Sequence, residues 1–418
     1  MISDNAPAER RVYVGLARRT GQEVQPVGLL KLARHGVMES GEFAYGRRYL
    51  QEPTAQPLNP AHLPLREAAF ALPEQRLRDG GAMPLTLRDA LPDAWGRKVL
   101  EVQHGKALSD TDALLLTNED RVGAMVFSET LPIQPDVPET RLLSLEDLAE
   151  ASRRIEAGME ITPRMQQLLR GGASLGGARP KATFIHEGRR YIAKFASRGD
   201  EHNMEVVEAA TLRLAMACGI TVPPHLLWPL AHGHALLVQR FDRTGAVNDE
   251  RRLPYLSSAA LLDVPYESSR GSYVELAQAL RRMSARPELD TAELFRRMVF
   301  NLVVGNSDDH VKNHGVLDHG TGDWRLAPAF DLVAQLGAHT GYQELAILPG
   351  QHASSLALAR EAAAHFGVTA DRANQAIEAT LATVARDAYP SVEAAGGSPA
   401  LGKRLQAFVL QQAQRIAG

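Results

Sequence analysis

Val304-Gly305-Asn306-Ser307-Asp308-Asp309-His310-Val311-Lys312-Asn313-His314-Gly315, followed after a short gap by Leu326-Ala327-Pro328-Ala329-Phe330-Asp331-Leu332, decides how this chain is read. Asp308 and Asn313 stand five positions apart, with His310 and Lys312 between them. Residues 314–317 and 324–327 flank Asp318-His319-Gly320-Thr321-Gly322-Asp323, a run of glycine and aspartate that predicts a hairpin turn. Such a hairpin returns Asp331 to the side of Asn313. A carboxylate to orient a hydroxyl, plus an amide oxygen and a second carboxylate to hold Mg²⁺ on phosphates, is what phosphoryl transfer asks of a protein. The competing chemistry is a zinc-dependent hydrolase built on Asp308, His310, His314 and His319. Lys312 and Asn313 have no task in a zinc site, whereas both fit beside phosphates. His310 reads as a brace that hydrogen-bonds the loop, close enough to the nucleotide to be counted with it, and His319 as an exposed turn residue.

Working upstream, residues 272–282 and 291–304 carry helical periodicity, and the second delivers its carboxyl end to the quoted stretch. Residues 225–228 and 235–241 read as strands, and Asp242-Arg243 as a hinge beyond which the chain turns mostly helical. Earlier still, Gly171-Gly172-Ala173-Ser174-Leu175-Gly176-Gly177-Ala178-Arg179-Pro180-Lys181 concentrates small residues whose N–H groups suit an anion, although a flexible turn is the commoner meaning of such a run. Strands at 182–185 and 190–195 follow, around a turn at Glu187-Gly188. Lys194 shares a face with Ile192, opposite Ala193 and Phe195, and is either an edge-strand guard or a phosphate ligand. The helix over 203–218 places Met204, Val207, Ala210, Leu214 and Ala217 on one stripe. Glu208 lies beside that stripe and needs a cation; Glu205, one turn earlier, is its rival. A glycine-rich hairpin, a strand lysine and a helix glutamate in that order are the parts of a protein-kinase amino-terminal lobe.

Before this lobe, strands at 12–16, 26–30, 42–45 and 122–127, with a helix over 87–103 carrying Leu91, Trp95 and Leu100 on one face, make a first unit. Ile133-Gln134-Pro135-Asp136-Val137-Pro138 is a linker, and Ser144 with Asp147 marks a helix start. At the other end, Thr369-Ala370-Asp371 opens a helix and Gly396-Gly397 breaks it before a last one; this alanine-rich part is scaffold under the catalytic loop. The expected fold is α+β and two-lobed, protein-kinase-like. It has a small β-rich N-terminal subdomain (1–132), an N-lobe with the phosphate-binding loop (139–241), and an all-helical C-lobe with the catalytic and metal-binding loops (242–418).

Composition sets the outer limits. A chain of 418 residues, 44% apolar, exceeds one simple core. Lys+Arg 46 against Asp+Glu 49 leaves a net charge of −3, which gives no reason to expect a dedicated nucleic-acid binder. The single cysteine, Cys218, excludes an intrachain disulfide and fits a reducing cytoplasm. The charged start of the chain has no signal-peptide run and no stretch approaches membrane-spanning length, so a cytoplasmic protein without a membrane partner is expected.

Ser174-Leu175-Gly176-Gly177-Ala178-Arg179-Pro180-Lys181, Gln239-Arg240-Phe241-Asp242-Arg243, Gly305-Asn306-Ser307-Asp308-Asp309-His310-Val311-Lys312-Asn313 and Leu326-Ala327-Pro328-Ala329-Phe330-Asp331, in that order, make the chain resemble the HipA family of bacterial toxin serine/threonine kinases over nearly its whole length. The resemblance implies ATP and Mg²⁺ as cofactors, Asp308 as catalytic base, and Asn313 and Asp331 as metal ligands. It implies Lys194 on the nucleotide phosphates with Glu208 as its partner. Ser174, Leu175, Gly176, Gly177, Ala178 and Lys181 fall in the phosphate loop, Gln239 and Phe241 at the hinge, and His310 and Lys312 beside the nucleotide. Ser174 matches the serine that these kinases autophosphorylate, which in the family expels the loop and silences the enzyme. The family also implies a protein substrate, such as a translation component, and a HipB-like helix-turn-helix antitoxin through which alone DNA is met. A weakly active corepressor is the alternative of another class. Asp309 stands where the founding member has glycine, and Gln239 where it has glutamate. Asp309 either assists metal binding or faces water.

Overall fold

The computed structural model of the chain describes residues 8–117, 121–135, 144–162, 165, 178–265, 270–337 and 341–417. Strands β1 (Ala8–Leu16), β2 (Gln25–His35), β3 (Met38–Tyr45), β4 (Phe70–Arg76) and β5 (Met125–Ser128) pair antiparallel in the order β4-β3-β2-β1-β5. Strand alternation sends Val12, Val14 and Leu16 of β1, Leu30 and Leu32 of β2, and Phe43 and Tyr45 of β3 into one core. The helix expected over 87–103 is two pieces, a single turn at Leu85–Arg88 and α1 (Ala94–His104). Pro92 has no N–H and disfavours the helical region at Leu91, so the helix is broken: a turn at Asp89 and Ala90 leaves the first piece, and Asp93 is extended before α1 begins.

The second sheet has the order β6-β7-β9-β8, from β6 (Lys181–His186), β7 (Arg189–Phe195), β8 (His225–Pro229) and β9 (His234–Gln239). Ala182, Tyr191, Ala193, Phe195, Ala235 and Leu237 cluster with Trp95, Val99 and Leu100 of α1 and with Leu148 and Ile155 of α2 (Leu145–Glu156). The Ser144 hydroxyl caps α2 by accepting from the Asp147 N–H. Leu236 and Val238 belong to the opposite core, with α3 (Met204–Ala217), which Asn203 caps. Because β7 lies between β6 and β9, Lys194 guards no edge.

Beyond Asp242 helices dominate, but short strands and an irregular stretch after Leu326 correct the all-helical expectation. The hairpin of β11 (Gly315–Asp318) and β12 (Trp324–Leu326) forms as predicted, and β10 (Tyr255–Ser257) adds a third strand beside β11. Gly315 permits this: a Cβ there would stand 2.5 Å from the Tyr255 ring. Around the hairpin pack α4 (Tyr273–Met283), α5 (Pro287–Val304), α6 (Ala370–Ala394) and α7 (Pro399–Ala417). Gly305 ends α5 with φ +67°, and a Cβ on it would meet the Phe408 ring at 2.8 Å. The Gln412 amide donates to the Leu302 carbonyl at 3.0 Å, so α7 packs against the carboxyl end of α5, where the 305–313 stretch begins. No described helix is long and apolar enough to cross a membrane.

A buried knot of charge ties the first unit to the hinge. Asp242 accepts from Arg240 (Nη2, 2.8 Å), from Arg243 (Nη1, 2.6 Å) and from the Gly123 N–H (2.8 Å), while the guanidinium groups of Arg243 and Arg252 donate back to the Gly123 carbonyl. Burial alone would raise the Asp242 carboxyl, but Arg240 and Arg243 outweigh it and hold it well below the usual carboxylate range. Removing one partner of such a knot strands the others in a dry interior. Asp242→Ala is therefore expected to cost about 4 kcal/mol in denaturant unfolding, whereas exposed Asp371→Ala should leave the midpoint almost unchanged.

Candidate active site

Four segments converge between the second sheet and the helices. From β7, the Lys194 ammonium donates to Glu208 Oε1 of α3 at 2.6 Å and to Asp331 Oδ1. Register explains the first contact, since Lys194 pairs with Leu236, whose side chain belongs to the core shared with α3. Burial opposes the charge on Lys194, but Asp331 and Glu208 outweigh it and raise its proton affinity. Glu208 is also raised by burial, against the pull of Lys194. Asp331 moves the other way: despite burial, Lys194 and then Lys181 hold it ionised. Glu205, the rival partner, is taken by Arg179, which also grips Asp200 with both guanidinium nitrogens at 2.5 and 2.6 Å.

The quoted stretch forms a loop on a buried polar chain. Asn306 donates to Asn301 Oδ1, Asn301 donates to the Tyr273 hydroxyl, and that hydroxyl donates to Asp309 Oδ2, which His314 Nε2 also meets at 2.9 Å. Asp309 is thus buried as a brace through Oδ2 and does not face water, while its Oδ1 has no described hydrogen-bond partner. Its carboxyl stays below the ordinary aspartate range because His314 and the Tyr273 hydroxyl overcome the effect of burial. The brace expected at His310 is found at His314; among the described residues His310 Nδ1 is buried without a hydrogen-bond partner. The zinc alternative loses its ligands accordingly. His314 is spent on Asp309, His319 is exposed, and among the described residues no three His, Cys, Asp or Glu side chains are grouped to share a metal ion.

On this base, Asp308 is exposed to solvent. Burial of part of the group, with Asp309, Glu344 and Asp331 nearby, raises its carboxyl, against the pull of His310. The Asn313 amide donates to the Asp308 carbonyl at 3.5 Å, and no described group donates to its oxygen. Asp331 follows the hairpin with φ +52°, a conformation that costs a non-glycine residue energy and that the Lys194 contact helps to hold. Its side chain is 38% exposed, and no described group donates to Oδ2. Two oxygens that lack donors, one amide and one carboxylate, fit a hard cation such as Mg²⁺.

Lys181 pairs in register with Lys194 and is buried; Lys312 sits in the short turn Val311–Asn313. Gln239 ends β9, and the Phe241 ring lies 5.2 Å from Phe330 and 6.0 Å from Tyr255. Ala178 is exposed at the entrance to β6, while Ser174, Leu175, Gly176 and Gly177 lie outside the described residues. Sequence reasoning missed the Tyr273 to Asp309 chain, the Arg179 bracket, and Asp93, whose carboxylate oxygens are buried without a hydrogen-bond partner among the described residues. A tyrosine on the apolar stripe of α4 reads as core, and an aspartate after Pro92 reads as an ordinary cap.

Comparison with known proteins places this geometry. A model of the HipA-like C-terminal domain matches residues 173–388 and one of the HipA N-terminal domain matches residues 22–128, so the chain belongs to the HipA family. Y4mE of Sinorhizobium fredii is 28% identical, over 86% of this chain and 89% of its own. The serine/threonine-protein kinase toxin HipA of Shewanella oneidensis is 26% identical over 59% of this chain and 62% of its own. A solved structure of HipA with HipB and its operator DNA from Shewanella oneidensis MR-1 superposes with a TM-score of 0.68, at 18% identity, covering 97% of this chain and 96% of that one; it shares the fold.

Asp309→Asn removes an ionised acceptor from a buried chain and is expected to destabilise by about 2 kcal/mol at neutral pH. The native carboxyl sits below its unfolded value, so its contribution is complete above about pH 4 and fades as pH falls through the lower native value. Urea unfolding at stepped pH should show the two proteins converging in acid.

Proposed function

We propose that the chain is an ATP- and Mg²⁺-dependent serine/threonine protein kinase of the toxin type, acting on a cellular protein connected with translation. The observation that carries this reading is Lys194 shared between Glu208 and Asp331, with the exposed Asp308 carboxylate on the adjoining loop. Asn313 and Asp331 would hold Mg²⁺, which supplies neutralisation of phosphate charge when bound. Lys194, Lys181 and Lys312 attract and align the phosphate chain, with His310 beside it. The backbone of Ser174, Leu175, Gly176, Gly177 and Ala178 wraps the phosphates, and Gln239 and Phe241 meet the base. Asp308 accepts the proton of the incoming serine or threonine hydroxyl, and its raised proton affinity suits that task.

Autophosphorylation at Ser174 would place a dianion among the N–H groups that bind ATP phosphates and so switch the enzyme off. The division into 1–132, 139–241 and 242–418 goes with this reading, as does a cytoplasmic location. So does a HipB-like helix-turn-helix antitoxin as the link to DNA, in keeping with the partners named for the solved Shewanella complex.

The test is transfer of label from ATP, with Mg²⁺, to the protein itself and to a cell lysate, after phosphatase treatment to clear Ser174. Asp308→Asn should slow transfer by about 10²- to 10⁴-fold while binding nucleotide normally, and EDTA should abolish it. No transfer by the dephosphorylated wild-type protein would leave the corepressor as the standing alternative.

A further inference from the structure

Residues 341–354 fold back on themselves beside the catalytic loop. The Gln343 N–H donates to the His352 carbonyl at 2.7 Å, the Ile347 N–H to the Gln351 carbonyl at 2.9 Å and the Ser354 N–H to the Gly341 carbonyl at 2.9 Å, so two arms lie together. His352 Nδ1 meets the Gln343 carbonyl at 2.8 Å, and Gln343 Nε2 donates to the Ser354 hydroxyl at 2.9 Å. The first arm is then fastened to the site. The Glu344 N–H donates to the Ser307 carbonyl at 3.1 Å and the Leu345 N–H to the Asp309 carbonyl at 2.8 Å, one on either side of Asp308. At the start of α4, the Tyr273 N–H donates to the Ala346 carbonyl at 2.9 Å. The arm is a wall beside Asp308.

Side chains alternate along that wall. Gln343 and Leu345 are buried, whereas Tyr342 is 41% exposed and Glu344 half-buried, so Tyr342 and Glu344 share the outward face, about 7 Å apart along an extended chain. The Tyr342 ring stacks flat on His352, with centroids 4.9 Å apart and planes 9° apart. Among the described residues the Glu344 carboxylate has no ion pair or hydrogen bond. Other acids of the site are matched: Glu208 and Asp331 by Lys194, and Asp309 by His314 and Tyr273. Backbones joined by hydrogen bonds lie about 5 Å apart, so Glu344 stands one or two residues away from any serine or threonine offered to Asp308. Its charge is also one of those that raise the Asp308 carboxyl. An open carboxylate attracts a cation, and a stacked aromatic face beside it suits the stem of an arginine or lysine.

Resting on the kinase reading above, we propose that Glu344, flanked by the Tyr342–His352 stack, is a specificity-determining residue that selects a basic side chain within two positions of the serine or threonine in the protein substrate. The probe is a set of serine-centred peptides with arginine, lysine, alanine or glutamate at one position at a time, given to the dephosphorylated full chain with labelled ATP and Mg²⁺. At one position within two of the serine, kcat/KM with arginine should exceed that with alanine about tenfold, the scale of a charge-assisted contact. Glu344→Gln should bring that ratio close to one, and Glu344→Lys should turn the preference over to glutamate at the same position. A residue that only shaped the loop would slow all peptides together and leave their ranking intact. No preference for basic peptides in the wild type, or a preference that survives both substitutions, would overturn the proposal. So would a Glu344→Gln variant whose one change is a higher Mg²⁺ requirement, the mark of a metal ligand. Self-labelling tests the kinase reading separately. Where no peptide takes label, the anisotropy of fluorescein-tagged arginine and glutamate peptides on the chain loaded with ATP and Mg²⁺ reads the same ranking, and equal affinities would overturn the proposal.

Discussion

An ammonium group taken out of water must be met by anions, and the architecture of this protein follows from how Lys194 is met. One anion comes from α3 and one from the segment after the hairpin, so sheet, helix and loop are positioned by a single side chain. Neither carboxylate is redundant. Glu208 is deep and takes up its proton more readily because of burial, whereas Asp331 is partly exposed and stays ionised beside two lysines. A pair of acids set apart in this way is a common mark of a site that divides structural from reactive work.

The N-terminal domain is bound to the two lobes by buried hydrogen bonds. Gly123 and Arg121 are sewn into the hinge by three arginines, Arg240, Arg243 and Arg252, and by Asp242, and Asn59 and His62 reach the carbonyls of Ala260 and Leu261 in the C-lobe. Trp95 meets the N-lobe. With all three bodies tied, relative motion of the lobes costs buried hydrogen bonds, and the cleft is held near one aperture.

Much of this was legible in the residues. Strand alternation and helix caps located most of the elements, though not the edge strand Phe70–Arg76 or the third strand Tyr255–Ser257, and the ordered series from Lys194 through Asp331 named side chains that the fold brings together, because those signals are local and periodic. What escaped was long-range. The split at Pro92 was hidden by apolar residues on either side at helical spacing. Asp309 looked like a metal ligand or a solvent-facing acid because nothing nearby in sequence announces Tyr273 as its donor. His310 and His314 were told apart only by which one the folded loop turns toward Asp309.

The left-handed backbone at Asp331 has an evolutionary side. Glycine accepts that conformation at less cost than aspartate does. A population screened only for folded protein would drift at this position toward residues that relax the chain and abandon the charge. Aspartate at 331 keeps a charge where glycine would relax the backbone, so loss of the carboxylate at this one position is a sensitive gauge of whether a given copy of the gene is still under pressure to act.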